Sequence, residues 1–305
     1  MRVNNILSIK FILCWVVLPA FAQAANHSER SELGGCYQSS NTLFAQSPDG
    51  TQIAFDVAGH GPTIILLHGG GGSRQNWHDV GYVEHTKDSF RVIAMDIRGH
   101  GESDKPIDQV SYTTDKLVQD ILAVADSCGA KTFVLWGYSY GGNISRYLAA
   151  QSDRVAGTII VGIPFGPGAS EEFRTYIEDF ENHWRPILQA QENNTLDWDI
   201  LSDEDQVVLK EHNPSITLAW LNAILEWTTV LPSDLHSPAL WLIGSENKGA
   251  MASLSEYQES LPNSVQVRVI EGLTHEQEFT EIEKVLPALL EFTHSVWGGQ
   301  VLIEK

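Results

Sequence analysis

The sequence predicts an α/β fold: a mostly parallel central sheet with helices on both faces and an inserted helical cap. Three observations predict it. Short β-rich apolar runs alternate with amphipathic helical stretches, the order that builds parallel sheets covered on both faces. The rhythm then breaks, because residues 167–236 carry helical patterns and no convincing strand. After residue 238 the alternation resumes, so the helical block sits within one sheet domain and covers an edge of it. No internal repeat or low-complexity segment disturbs this plan.

Each element has its own local signal. Residues 41–45 and 51–57 flank the turn sequence Ser47-Pro48-Asp49-Gly50 and read as a hairpin. The run 63–67 reads as a buried strand, a polar helix-like stretch starts at 73, and 91–95 is the next strand. Over 113–128, Leu117, Ile121, Leu122, Val124 and Ala125 fall at helical spacing. Residues 132–136 form another buried strand, a helix pattern begins at 143, and 158–163 is a further strand. Beyond the cap come a strand at 239–243, a helix near 253–260, a strand at 265–270 and a last helix over 277–296.

Composition excludes several function classes. The chain has 305 residues, 19 Lys or Arg against 39 Asp or Glu, and a net charge of −20. Such a surface repels phosphate backbones and no basic cluster overrides it, so nucleic acid is not a partner. With 43% apolar residues, the chain has enough to bury a large core.

Residues 1–24 read as a secretory signal peptide. Arg2 and Lys10 give a positive start, residues 11–21 are apolar, and Ala22-Gln23-Ala24 offers a cleavage site after Ala24. The apolar run falls short of the roughly 20 residues that a membrane-spanning helix needs. No stable membrane insertion is therefore expected after cleavage, and the product is expected to be exported, periplasmic or extracellular. Leu33-Gly34-Gly35-Cys36 is separated from the apolar run by His27, Ser28, Glu29 and Arg30, which argues against lipidation. The mature chain keeps Cys36 and Cys128. An oxidising compartment allows them to pair, but sequence does not bring their Cα atoms within bridging distance, and pairing stays open. Without nearby His ligands they make no zinc site, and nothing calls for a metal or organic cofactor. The oligomeric state is not legible.

The sharpest signal is Gly137-Tyr138-Ser139-Tyr140-Gly141-Gly142, which follows an apolar strand and precedes a helix pattern. A serine on so tight a turn has a strained backbone and an exposed hydroxyl. The residues two before and two after it must be small, as Gly137 and Gly141 are. Here the chain resembles the α/β-hydrolase fold family, in its serine-nucleophile branch with a helical cap, over essentially all of 41–297. With 1–24 set aside as the signal, the resemblance implies 25–163 as the first part of the core domain, 164–237 as the cap and 238–305 as the second part.

Further motifs extend the resemblance. His68-Gly69-Gly70-Gly71-Gly72-Ser73 follows the strand 63–67. In the family such a loop lends one backbone N–H to the oxyanion hole, and the residue after the nucleophile lends the other. Here those donors are Gly70, with Gly71 as the near alternative, and Tyr140. Asp96-Ile97-Arg98-Gly99-His100-Gly101-Glu102-Ser103 looks like the family's structural turn and is assigned to scaffolding. His275 ends the loop after the last strand, where the family keeps its general base, and the order Ser…acid…His fits the fold.

The third member departs from the pattern. Where the family usually shows Gly-x-x-Asp after a late strand, this chain has Gly244-Ser245-Glu246-Asn247. The acid orients the imidazole and stabilises the imidazolium, and an amide supplies no charge. Glu246 is the favoured candidate, one methylene longer and one residue early. Asn247 as a weak orienter and an acid elsewhere are the alternatives.

Residues 164–237 hold 14 acidic and three basic residues together with Trp184, Trp198, Trp220 and Trp227. An apolar lining under a negative rim suits small neutral or cationic acyl substrates. Aromatic residues packing the cap onto the sheet and charges facing solvent are the plainer explanation. The leading expectation is a secreted serine hydrolase acting on a carboxylic ester, lactone or amide. A proline-iminopeptidase-like aminopeptidase is an alternative, although position 71 is Gly where that resemblance expects Pro. A cofactor-free perhydrolase and a ligand-binding protein on a hydrolase scaffold are the others. Serine at the elbow argues against haloalkane dehalogenase and epoxide hydrolase chemistry, whose family members carry Asp there.

Overall fold

The computed structural model describes residue 36 and residues 42–300. The expected signal peptide lies outside the described residues. Eight strands form one sheet: β1 (Leu43–Gln46), β2 (Gln52–Ala58), β3 (Thr63–Leu67), β4 (Arg91–Met95), β5 (Phe133–Tyr138), β6 (Val155–Val161), β7 (Ala239–Gly244) and β8 (Val265–Ile270). Their spatial order is β1-β2-β4-β3-β5-β6-β7-β8. The β1–β2 and β2–β4 pairs are antiparallel and every other pair is parallel.

Alternation along the central strands builds two cores. Ile65 and Leu67 of β3, Phe133 and Leu135 of β5, and Trp241 and Ile243 of β7 face one side. There they meet Leu117, Ile121 and Val124 of the helix Thr114–Ser127 and Ile144 and Leu148 of the helix Tyr140–Ala149. Ile64, Leu66, Val134, Trp136, Leu240 and Leu242 face the other side, packing on Trp77, Tyr82, Phe279, Val285, Leu289 and Phe292. Strands apolar at successive positions are therefore covered on both faces.

Several boundaries shift from the sequence expectation. The polar stretch from 73 forms two short helices, Gln75–Asp79 and Tyr82–Thr86, with Gly81 between them at φ 97°. The helix expected near 143 begins at Tyr140, because the turn at Ser139 feeds straight into it. The last helical stretch is split at Glu281 into Gln277–Thr280 and Ile282–Gln300. Between β6 and β7 lie the helices Glu171–Glu192, Asp203–Glu211 and Pro214–Leu225. Among the described residues no helix is long and apolar enough to cross a membrane.

Cys36 and Cys128 form a disulfide with a Cα–Cα distance of 4.5 Å, which closes the question left open by sequence. It ties the segment before β1 to the end of the helix Thr114–Ser127.

The chain runs from β3 to β4 on one side and later to β5 on the other. Loops leaving β3 and β5 therefore diverge at a topological switch point, where open α/β sheets form a crevice. The glycine loop 69–72 and Ser139 both lie at this crevice.

Candidate active site

Ser139 follows β5 with φ 51° and ψ −115°, a region that side chains rarely occupy. The glycines around it make that turn sterically feasible. A Cβ on Gly137 would run into the Gly141 carbonyl and the Ser145 hydroxyl, and one on Gly141 would run into the Leu67 carbonyl. Ser139 N–H donates to Val161 O at 3.0 Å, and its own carbonyl accepts from Asn143 N–H at 2.8 Å. The backbone is pinned on both sides while the hydroxyl is left free to point outward.

His275 meets that hydroxyl: Nε2 lies 2.9 Å from Ser139 Oγ. The imidazole stacks on the Tyr138 ring at 5.2 Å between centroids, and Tyr138 O–H donates to the His275 carbonyl at 3.0 Å. Burial raises the Tyr138 pKa far above that of an ordinary phenol, so Tyr138 stays neutral beside the imidazole. The His275 side chain is 36% exposed, so the ring is partly open to solvent.

The carboxylate at the far side of the ring is Glu278. Its Oε2 lies 3.0 Å from His275 Nδ1, and the side chain is fully buried. Gly244 N–H donates to Oε1 at 2.5 Å, and Asn247 Nδ2 lies 3.0 Å from both carboxylate oxygens. A buried carboxylate with donors on both oxygens has the partners that its desolvation demands.

The expected acid, Glu246, is placed elsewhere. Its side chain is exposed and makes no hydrogen bond to His275. The reason lies in the backbone: Glu246 N–H donates to Leu273 O and Asn247 N–H to Gly244 O, both at 3.0 Å. That turn aims residue 247 inward and residue 246 at solvent. Asn247 does reach the ring, with Nδ2 3.2 Å from His275 Nδ1, but as a donor facing a position that must itself donate to Glu278. The sequence favoured Glu246 and left an acid elsewhere open without naming Glu278, which follows His275 in the chain where the resemblance expects the acid to precede it. The available signal was the spacing His275-x-x-Glu278 at the start of a helical stretch, since residues i and i+3 share a helix face.

The glycine loop is held beside the serine. Gly141 N–H donates to His68 O at 3.0 Å, and a Cβ on Gly69 would lie 3.4 Å from Ser139 Cβ. His68 is fully buried and bridges two loops: Nδ1 donates to Gly69 O at 2.8 Å while Nε2 accepts from Ile97 N–H at 3.1 Å. Burial pushes its pKa down to about 4, which keeps the ring neutral for this pair of roles. Tyr140 begins the helix, so its N–H has no intrahelical acceptor. The Gly70 N–H also donates to no acceptor among the described residues. Trp220 closes over this corner: a Cβ on Gly70 would be 3.0 Å from its ring, and it packs on Tyr140 and His100 at 4.9 and 5.5 Å between centroids.

The turn assigned to scaffolding is built as a polar clamp. Buried Arg98 donates to Asp120 at 2.6 Å and to Asp49 at 2.8 Å, and Asp96 accepts from Arg74 and from Glu102 N–H. Among the described residues no cluster of three or more His, Cys, Asp or Glu is placed to hold a metal ion.

Comparison with known proteins agrees with this architecture. The model of the alpha/beta hydrolase fold family matches residues 62–281, and the chain belongs to that family. It is 30% identical over 159 residues to epoxide hydrolase 4 of Mus musculus, covering 50% of this chain and 44% of that protein. The chain spans less than half the length of the curated relatives it matches. Among solved structures, an esterase from Thermogutta terrifontis superposes with a TM-score of 0.65 at 24% identity, over 84% of this chain and 99% of that one. A putative aryl esterase from Burkholderia cenocepacia does so with a TM-score of 0.61 at 25% identity, over 85% and 100%. The chain is thus a member of the alpha/beta hydrolase fold family that is similar to epoxide hydrolases in sequence and shares its fold with solved esterases.

Proposed function

We propose that the protein hydrolyses a carboxylic ester, lactone or amide through an acyl-enzyme on Ser139. The observation that carries this is the continuous relay in which Ser139 Oγ lies 2.9 Å from His275 Nε2 and His275 Nδ1 lies 3.0 Å from Glu278 Oε2. Ser139 attacks the carbonyl carbon as His275 takes its proton, and the imidazolium is stabilised by Glu278. The Gly70 and Tyr140 N–H groups receive the oxyanion. The imidazolium then protonates the leaving alcohol or amine, and the C–O or C–N bond breaks. Water attacks the acyl-enzyme with His275 again as base, which releases the acid and restores the serine.

The similarity to epoxide hydrolases raises ring opening as a second reaction. The resemblance expects an aspartate nucleophile for that chemistry, and Ser139 stands in its place, so acyl transfer is the reading adopted.

In this reading residues 164–237 form a cap, with Trp220 as its contact to the oxyanion corner. Its acidic balance favours small neutral or cationic acyl substrates over anionic ones. The protein is exported to the periplasm or beyond, a reading supported by the leader pattern of residues 1–24 and by the Cys36–Cys128 disulfide. The direct test is turnover of p-nitrophenyl esters of increasing acyl length by the mature chain. Saturable hydrolysis that is lost in Ser139→Ala supports the proposal. Equal turnover by both proteins overturns it.

A further inference from the structure

The position where the family resemblance expects an acid holds Asn247, and its amide is fully committed. Oδ1 accepts from Ala250 N–H at 3.2 Å and so caps the helix Lys248–Tyr257. With the oxygen fixed there, Nδ2 faces the Gly162 carbonyl at 2.8 Å and both oxygens of Glu278 at 3.0 Å. One of its two hydrogens serves Gly162, and the other spans the carboxylate. Such an arrangement suits an acceptor pair at Glu278 and forbids a second acceptor at 247.

Resting on the acyl-enzyme reading above, we propose that Asn247 is a positioning residue that donates to both oxygens of Glu278 and keeps the carboxylate aimed at His275. The acid of this site lies one turn beyond the base, and the residue at the usual acid position acts as its donor clamp. It follows that restoring the family's residue impairs this enzyme. In Asn247→Asp one oxygen still caps the helix, since Asp is as good an N-cap as Asn. The other oxygen faces Glu278 at hydrogen-bond distance, where two carboxylates cannot both stay charged without a shared proton.

The titratable groups facing His275 are few. Glu278 lies on its own segment with exposed Glu276 beside it, Tyr138 stacks from β5 as a neutral phenol, and Glu246 points to solvent. A pH profile therefore reports chiefly on the carboxylate at the ring's Nδ1.

The test compares Asn247→Asp, Glu278→Gln and the double swap by kcat and by the pH dependence of kcat/KM, with Tm as a check on folding. Asn247→Asp is expected to stay folded with a lowered Tm, because the Gly162 carbonyl loses its donor, to lose about tenfold in kcat at neutral pH, and to move the acidic limb to higher pH. Glu278→Gln is expected to lose about 10³-fold or more and move the limb to lower pH. In the double swap the carboxylate brought to position 247 takes the place now held by Asn247 Nδ2, 3.2 Å from His275 Nδ1. The amide brought to position 278 then serves as its donor. Recovery of at least about tenfold over Glu278→Gln is expected. A wild-type profile for Asn247→Asp, or a double swap no better than Glu278→Gln, overturns the positioning role and leaves the acyl-enzyme reading intact. Full activity in Glu278→Gln overturns Glu278 as the acid and the positioning role with it, whereas the acyl-enzyme reading itself falls only if Ser139→Ala keeps its turnover.

Discussion

Glu278 Oε2 stands 3.0 Å from His275 Nδ1, and the two residues are one helical turn apart in the chain. The base and acid of the proposed mechanism therefore ride on a single short segment, from the loop after β8 into the helix Gln277–Thr280. Ser139 reaches them from the end of β5, with its Oγ 2.9 Å from His275 Nε2.

Replacing Glu278 should separate the two candidate acids. Glu278→Gln keeps a hydrogen-bonding group of the same shape but removes the charge that stabilises the imidazolium. Ester turnover should fall by roughly 10³–10⁴, or about 4–5 kcal/mol of transition-state stabilisation. Glu246→Gln should stay within about twofold of wild type, because that side chain faces solvent. Steady-state kinetics on p-nitrophenyl acetate checks both; the reverse ranking would return the acid to the loop after β7.

Stability should fall as acid is added, well before the carboxylates titrate. Burial pushes His68 down to about 4 and His100 to about 3, both below the roughly 6.5 of an unfolded histidine. The unfolded chain thus binds more protons between these values. Each ring contributes stability that is fully present above pH 6.5 and is lost at about 1.4 kcal/mol per pH unit as pH drops toward the folded value. Urea unfolding at pH 7, 6 and 5 measures the slope. A flat line across that range would mean that the two rings are not held neutral.

Loss of the disulfide should affect stability and leave the chemistry alone. The bridge closes a loop between residues 92 apart, for which chain entropy gives about 4–5 kcal/mol. Cys36→Ser with Cys128→Ser should lower Tm by several degrees, while kcat stays unchanged because neither residue touches Ser139, His275 or Glu278. A parallel loss of kcat would mean that the bridge reaches the site.

The parts of the molecule that sequence made legible are those decided by local pattern. Runs such as Ile64–Leu67 are apolar at every position, so only a strand covered on both faces suits them. Gly137, Ser139 and Gly141 are legible because the turn leaves no room for a Cβ on either side of the serine. His275 followed from its place after the last strand. Glu278 was not legible, because which carboxylate reaches Nδ1 depends on how the turn at 244–247 is hydrogen-bonded to Leu273. One residue of twist there exchanges the inward and outward roles of positions 246 and 247. The Cys36–Cys128 pairing was open for the same kind of reason, since a Cα separation of 4.5 Å is a tertiary quantity.

The most direct test of the central claim, that Ser139 is an activated nucleophile, is intact-protein and peptide mass spectrometry after brief treatment with a fluorophosphonate. One phosphonyl group per chain, located on the peptide carrying Ser139 and absent from Ser139→Ala and from denatured protein, is the expected result. An unlabelled wild-type chain, or label of equal extent on Ser139→Ala, would contradict it.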